Sequence, residues 1–340
     1  MLTERQETIL KIVVDDYTRT AMPIASDTIV REHELGVSAA TVRNDVAALE
    51  DAGYIARPHT SAGSVPLDKA YRFYVERFAE AEEILPLGVR MSVNRTLSLV
   101  EHDVDEWANV AAAALASLVG NLAIATFPMV RESRIRHLEL VRLQDLLVML
   151  IVVMEQARLR KQIIRLPRPV QVNELEDALN RLKSQLMGLN LREIESKAMA
   201  LSPLEEELVD ATVLVLKEEE KIVKRQHYVD GLRNLLSQPE FSESERTRAI
   251  VGAIEDGSLV QTVLDEAPDG DVVRVIIGEE NREDMLSPLS VVICRYGIPG
   301  EAMGAVGVVG PTRMEYSKTI GGVRFISSAM SSLVENAYSA

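Results

Sequence analysis

The chain has 340 residues, 47% apolar and 26% charged, the balance of a globular protein with two or three domains. A single cysteine, Cys294, excludes a disulfide framework and fits a reducing cytoplasm. The longest apolar run, residues 146–154, is less than half of the roughly 20 residues that cross a bilayer, so no membrane span is expected, and no signal-peptide pattern opens the chain. The net charge of −15 excludes nucleic-acid binding through the overall field. Even the first 80 residues, with nine Lys/Arg against thirteen Asp/Glu, are net −4. Any DNA contact must therefore rest on a few well-placed cations and on two copies acting together.

Residues 1–80 read as helix, helix, turn, helix, hairpin, helix. Thr3 and Gln6 form a capping-box start, and Ile9, Leu10, Val13 and Tyr17 share one helical face. Pro23 stops this helix; Ser26 is expected to cap the next, which runs to about Glu34. Leu35-Gly36-Val37 makes a tight turn, Ser38 caps a third helix with Val42, Val46 and Leu49 inward, and Gly53 ends it. Tyr54–Pro58 and Val65–Pro66 are the arms of an edge hairpin whose tip is rich in turn residues. Asp68 opens an aromatic helix with Tyr71, Phe73, Tyr74 and Phe78, spaced for core packing or an interface more than for base stacking.

Beyond a boundary at 85–88, residues 92–119 read as helix and 121–129, 135–143 and 146–154 as strands, with a further strand near 162–166. From Val172 to about Gln238 the pattern is helical and highly charged. After Pro239 come a helix or two, strands at 272–278, 289–296 and 302–309, and a last helix from near Arg313. Strands on both sides of a helical block suggest one α/β domain, 87–166 and 240–340, interrupted by an insert at 167–239. The fold class expected is α+β, multidomain, with a winged helix-turn-helix over 1–80.

The third helix carries the functional signal. With Val42, Val46 and Leu49 inward, Ala40, Asn44 and Ala47 point outward, flanked by Thr41 and Arg43. Small alanines let a helix approach the floor of the major groove. Asn44 can pair with adenine on two hydrogen bonds, and Arg43 can reach guanine or phosphate. Ser38 lies at the helix start, where such helices touch base edges. The hairpin can act as a wing, with Arg57, His59, Thr60, Ser61 and Ser64 along the phosphate backbone.

Other signals carry no chemistry. Gly304, Gly307 and Gly310 lack nucleotide-loop spacing and suit close backbone packing. The five histidines have no metal-ligand spacing, and Cys294 reads as a core thiol. No catalytic constellation emerges, so no enzyme activity, cofactor or metal is expected.

Several strings carry a family resemblance. They are Leu2-Thr3-Glu4-Arg5-Gln6, Val37-Ser38-Ala39-Ala40-Thr41-Val42-Arg43-Asn44-Asp45, and Pro58-His59-Thr60-Ser61-Ala62-Gly63 running on to Asp68-Lys69 and Tyr71-Arg72. Ile277-Gly278-Glu279-Glu280-Asn281 and Gly310-Pro311-Thr312-Arg313-Met314-Glu315-Tyr316 repeat the match near the far end. In these the chain resembles the HrcA family of heat-inducible transcription repressors. The resemblance implies a winged helix domain, a GAF-like domain and a dimerisation domain inserted into the latter. It also implies a homodimer on an inverted-repeat operator of chaperone operons, with double-stranded DNA and a GroE-type chaperonin as partners. Ser64 stands where the family pattern has arginine, and Asp27 where a basic residue is common. Two alternatives remain: a repressor governed by a small molecule in the GAF-like domain, and an enzyme or sensor whose first domain mediates protein contacts.

Overall fold

Helix α1 spans Glu4–Thr20. The Thr3 hydroxyl accepts from the Gln6 N–H and the Gln6 side chain accepts from the Thr3 N–H, which satisfies two of the donors a helix start leaves open. The apolar stripe Ile9, Leu10 and Val13 is fully buried. The computed structural model describes residues 2–338 apart from 34, 60, 61, 80–84, 101–103, 129–133, 155–158, 226, 243, 284–285 and 300. The fold mixes helix and sheet and divides into two compact units, Met1–Pro128 with His227–Ala340, and Met129–Gln226.

In the first unit, α2 spans Ser26–Glu32 and α3 spans Ala39–Asp51. Ser26 is the first helical residue and not the cap: Ala25 takes that place with no side-chain bond. Ser38 does cap α3, its hydroxyl accepting from the Thr41 N–H at 3.2 Å. Val42, Val46 and Leu49 are fully buried, as their spacing predicts. The short strands β1 (Ile55–Ala56) and β2 (Val65–Pro66) pair antiparallel, and an Ile24–Ser64 bridge prolongs the hairpin. Helix α4 (Asp68–Tyr74) continues as a wider turn through Val75–Ala79. Tyr71 and Tyr74 are buried and the Phe73 ring meets Tyr54 edge-on at 5.8 Å, so the aromatic helix is core.

Helix α5 (Leu87–Ser98) and helix α6 (Val104–Val119) lead into β3 (Leu122–Thr126). The second unit follows: strands β4 (Ile135–Gln144), β5 (Leu147–Met154) and β6 (Leu159–Arg165), then helices α7 (Val172–Leu186), α8 (Leu191–Ser196) and α9 (Pro203–Arg225). The chain returns through β7 (His227–Asp230), α10 (Leu232–Leu236), α11 (Ser244–Glu255) and α12 (Ser258–Asp265). It closes with β8 (Arg274–Ile277), β9 (Leu289–Ile298), β10 (Ala302–Pro311) and α13 (Tyr316–Tyr338). Among the described residues one antiparallel sheet runs β7-β3-β10-β9-β8 and another runs β4-β5-β6.

The central strands β3, β9 and β10 of the larger sheet are covered on both faces, which explains their near-continuous burial. Val291 and Ile293 of β9 join Leu235, Phe241, Leu259 and Val263 on one side. Cys294 and Gly297, on the other, meet Ser327 and Ser331 of α13. A side chain at Gly304 would strike the Tyr296 ring, so close packing accounts for that glycine.

The second unit differs from expectation. Strands 135–143 and 146–154 do not extend the larger sheet. Leu150, Val152 and Met154 turn one face of their own sheet onto Leu179, Leu182 and Leu186 of α7 and Leu208 of α9, and Val148 on the same face joins Leu166, Val170 and Leu175. Meanwhile His227–Asp230 pairs with β3. The second compact unit, Met129–Gln226, thus includes strands β4–β6 as well as helices, where a mostly helical insert at 167–239 was expected. Inside this unit Arg160 pairs with the fully buried Glu219.

Candidate nucleic-acid interface

Helix α3 is fixed from three sides. Its buried stripe packs on α1 and α2, Arg5 of α1 grips Asp45 at 2.6 Å, and Lys69 donates to the Ala52 carbonyl at 2.8 Å. A cation at a helix C-terminus complements the partial negative charge there, and Lys69 also sits over the Tyr54 ring. The Lys69 contact was not read from the sequence; its signal is a lone lysine at the start of the helix after the hairpin.

The outward face is composed as the spacing predicts. Ser38, Ala40, Arg43, Asn44 and Ala47 are exposed and Thr41 is half-buried, with its hydroxyl 3.0 Å from that of Ser38. Arg43 is engaged: its guanidinium donates to Asp27 of α2 at 2.8 Å. Arg57 is exposed and leans back to Glu50 at 3.3 Å, and His59 is exposed at the hairpin. Thr60 and Ser61 lie outside the described residues.

Ser64 corrects the wing expectation. It is only 2% exposed, and its N–H and carbonyl are both bonded to Ile24. Its side chain is packed away from solvent, so Ser64 itself offers no phosphate contact here. The neighbouring Gly63 is held by the same approach: a side chain there would lie 2.5 Å from the Ile24 backbone.

Most cations of this region already face carboxylates: Arg5 to Asp45, Lys11 to Asp15, Arg19 to Asp16, Arg43 to Asp27 and Arg57 to Glu50. Those whose carboxylate also lies in water, Lys11–Asp15, Arg43–Asp27 and Arg57–Glu50, contribute about 0–1 kcal/mol each. Exchanging such a carboxylate for a phosphate is thus cheap, and a negative net charge does not forbid a polyanion.

Residues 105–320 match the family described as HrcA protein C terminal domain. The chain is 37% identical over 338 residues to a heat-inducible transcription repressor HrcA of Dehalococcoides mccartyi, covering 99% of this chain and 97% of that one. It is 36% identical to the protein of that name from Chloroflexus aggregans, covering 99% and 94%. A crystal structure described as a hypothetical protein shares the fold, with a TM-score of 0.64 at 21% identity over 99% of each chain. Proteins so named repress transcription and are not enzymes. On identity across nearly its whole length, the chain belongs to the HrcA family of heat-inducible transcription repressors.

Proposed function

We propose that residues 2–79 are a winged helix-turn-helix that reads an inverted-repeat operator of chaperone operons, and that the protein acts there as a homodimer. The observation that carries this is the exposed face of α3. Ala40 and Ala47 keep it low enough to enter a major groove, and Asn44 stands between them with its amide in solvent. The β1–β2 hairpin supplies the wing through Arg57 and His59. The larger sheet with its helices is the GAF-like domain, and by family resemblance a GroE-type chaperonin is the protein partner.

Two-fold symmetry in the operator requires two reading heads. The outer face of the β4-β5-β6 sheet supports the insert as the dimerisation domain. Val141, Met149 and Ile163 form one row across it, with Val141 and Ile163 exposed. Glu139, Ile151 and Lys161 form the next. A two-fold axis along β5 lays β4 of one copy over β6 of the other, so that apolar rows meet and Glu139 faces Lys161.

Fluorescence anisotropy of the full-length protein tests the reading. An inverted repeat from a chaperone promoter is expected to bind at least about 1,000-fold tighter than scrambled DNA, steeply weakened by salt. Equal binding of the two duplexes overturns it.

A further inference from the structure

Three strings far apart in the sequence meet within the first unit. They are Asp68 to Arg72 of α4, Gly278 to Glu280 after β8, and Arg313 to Tyr316 leading into α13. None of them lies on the reading face of α3.

Arg72 makes a two-pronged contact with Glu280, Nε lying 2.8 Å from Oε1, and donates to the Val275 carbonyl at 2.8 Å. Asp68 accepts from the Glu279 N–H at 2.8 Å. Gly278 is shaped for this carboxylate: its φ is +53°, and a side chain there would lie 1.9 Å from Asp68 Oδ2. Beside them Tyr71 packs on Tyr316, both buried, with ring centres 5.8 Å apart. On the other flank Arg313, only 12% exposed, donates to the Thr18 carbonyl in the last turn of α1 at 3.0 Å. The same guanidinium reaches Gln238 and Glu240. Polar clamps thus flank a sealed aromatic contact, and together they fix α1 and α4 against the sheet domain.

We propose that Asp68, Arg72, Gly278, Glu280 and Arg313 form a latch that sets the half-site spacing the repressor accepts. They are positioning residues for DNA reading. A head clamped to its sheet domain presents α3 at one fixed place and angle, so two heads in a dimer match one spacing and helical phase. A head freed from the clamp hangs on its connecting chain and searches a volume, which blurs the spacing and lowers the effective concentration of the second head. The inference rests on the DNA-reading assignment above.

Spacer-series binding with the full-length protein tests it. The probes are the chaperone-promoter inverted repeat with its spacer lengthened or shortened in single base pairs, and a scrambled duplex. The parent protein is expected to favour one spacing at least about tenfold over one displaced by half a helical turn, about 5 base pairs. Arg72→Glu and Gly278→Ala are expected to flatten that preference to within about threefold and to weaken binding at the best spacing about tenfold, while still preferring the repeat to scrambled DNA. Arg72→Lys, which keeps the charge without the two-pronged contact, is expected to fall between. Adding Glu280→Arg to Arg72→Glu is expected to restore the preference. Variants that keep the parent's full spacing preference overturn the latch, as does tighter binding at an unchanged best spacing. A parent protein blind to repeat against scrambled sequence overturns the DNA-reading assignment instead.

Discussion

The outer face of α3 and the outer face of the β4-β5-β6 sheet are both uncovered, and they differ in kind. On α3 the exposed positions include Ser38, Ala40, Arg43, Asn44 and Ala47, small or hydrogen-bonding groups with little apolar area. On the sheet they include Val141, Leu159 and Ile163, large apolar groups interleaved with Glu139 and Lys161. Water solvates the first face well and the second poorly. In the proposed function, the first gains by exchanging water for base edges and phosphates, the second by meeting another apolar surface. Exposure alone does not separate the two; composition does.

The largest expected effect breaks the sheet half of this comparison. Ile163 is 59% exposed, so Ile163→Glu should leave the monomer folded. In a two-fold interface the change enters twice, burying two carboxylates in an apolar contact. Dimer dissociation is expected to rise at least about 100-fold in sedimentation equilibrium, a loss typical of central interface residues, with operator binding falling in parallel. An unchanged dimer would move the interface off this sheet.

Asn44→Ala probes the other half. It removes one side chain from an exposed position and leaves the Val42, Val46 and Leu49 stripe intact. Discrimination at one base pair should relax by about 1–3 kcal/mol, with little change at the others. Binding of all single-base operator variants just as the parent protein does would sink the assignment of α3.

The same contrast explains what could be read in advance. Helix α3 was legible down to its cap, because a buried stripe, a serine start and a helical period act within one short contiguous stretch, residues 38–51. The strands 135–165 were legible as strands but not in their sheet. Alternation in β5 says that one face is buried, not that α7 and α9 bury it. β7 was hidden because it is four residues long, polar in part, and appended to a charged helix. Ser64 was misread for a related reason: its partner, Ile24, lies forty residues earlier and uses only main-chain atoms. The latch strings were visible, but their meeting was not.

A third experiment sharpens the contrast by acid. The insert is stapled by Glu205, which accepts from the Ser202 N–H at 2.7 Å and from Arg181. Those bonds, the backbone one first, hold its carboxyl down to about 2 against the opposing effect of burial. A depressed carboxyl stabilises the folded state fully above its unfolded value, about 4.3, and loses that contribution as pH falls through the folded value. The insert should therefore hold its structure to near pH 4 and lose stability between there and pH 2, as followed by circular dichroism. Arg181→Met should lower stability already at neutral pH and make the acid loss smaller, complete at a higher pH, since one of the two bonds that hold the carboxyl down is gone. An acid transition identical in the two proteins would show that this pair does not brace the insert.

The smallest expected effect concerns the one exposed cation on the reading face. Arg43 is held by Asp27, with side chains 60% and 66% exposed, so the bond lies in water and contributes about 0–1 kcal/mol. Asp27 nonetheless competes with DNA twice: it occupies the guanidinium and it repels phosphate. Asp27→Asn keeps the shape and removes both effects. It also removes a carboxylate from the first turn of α2, where a negative charge is favourable by about 0.3–1 kcal/mol, so stability should fall slightly or not at all. Operator affinity at low salt should rise about three- to tenfold, and the salt slope should steepen by about one as Arg43 gains a phosphate. The two readouts separate the causes. A rise in affinity with an unchanged slope would mean that Arg43 turns to a base edge, and relaxed preference at one position would accompany it in an Arg43→Ala control. If neither affinity nor slope moves, Arg43 stands away from the DNA, and the polar work of this face rests on Ser38, Thr41 and Asn44 alone.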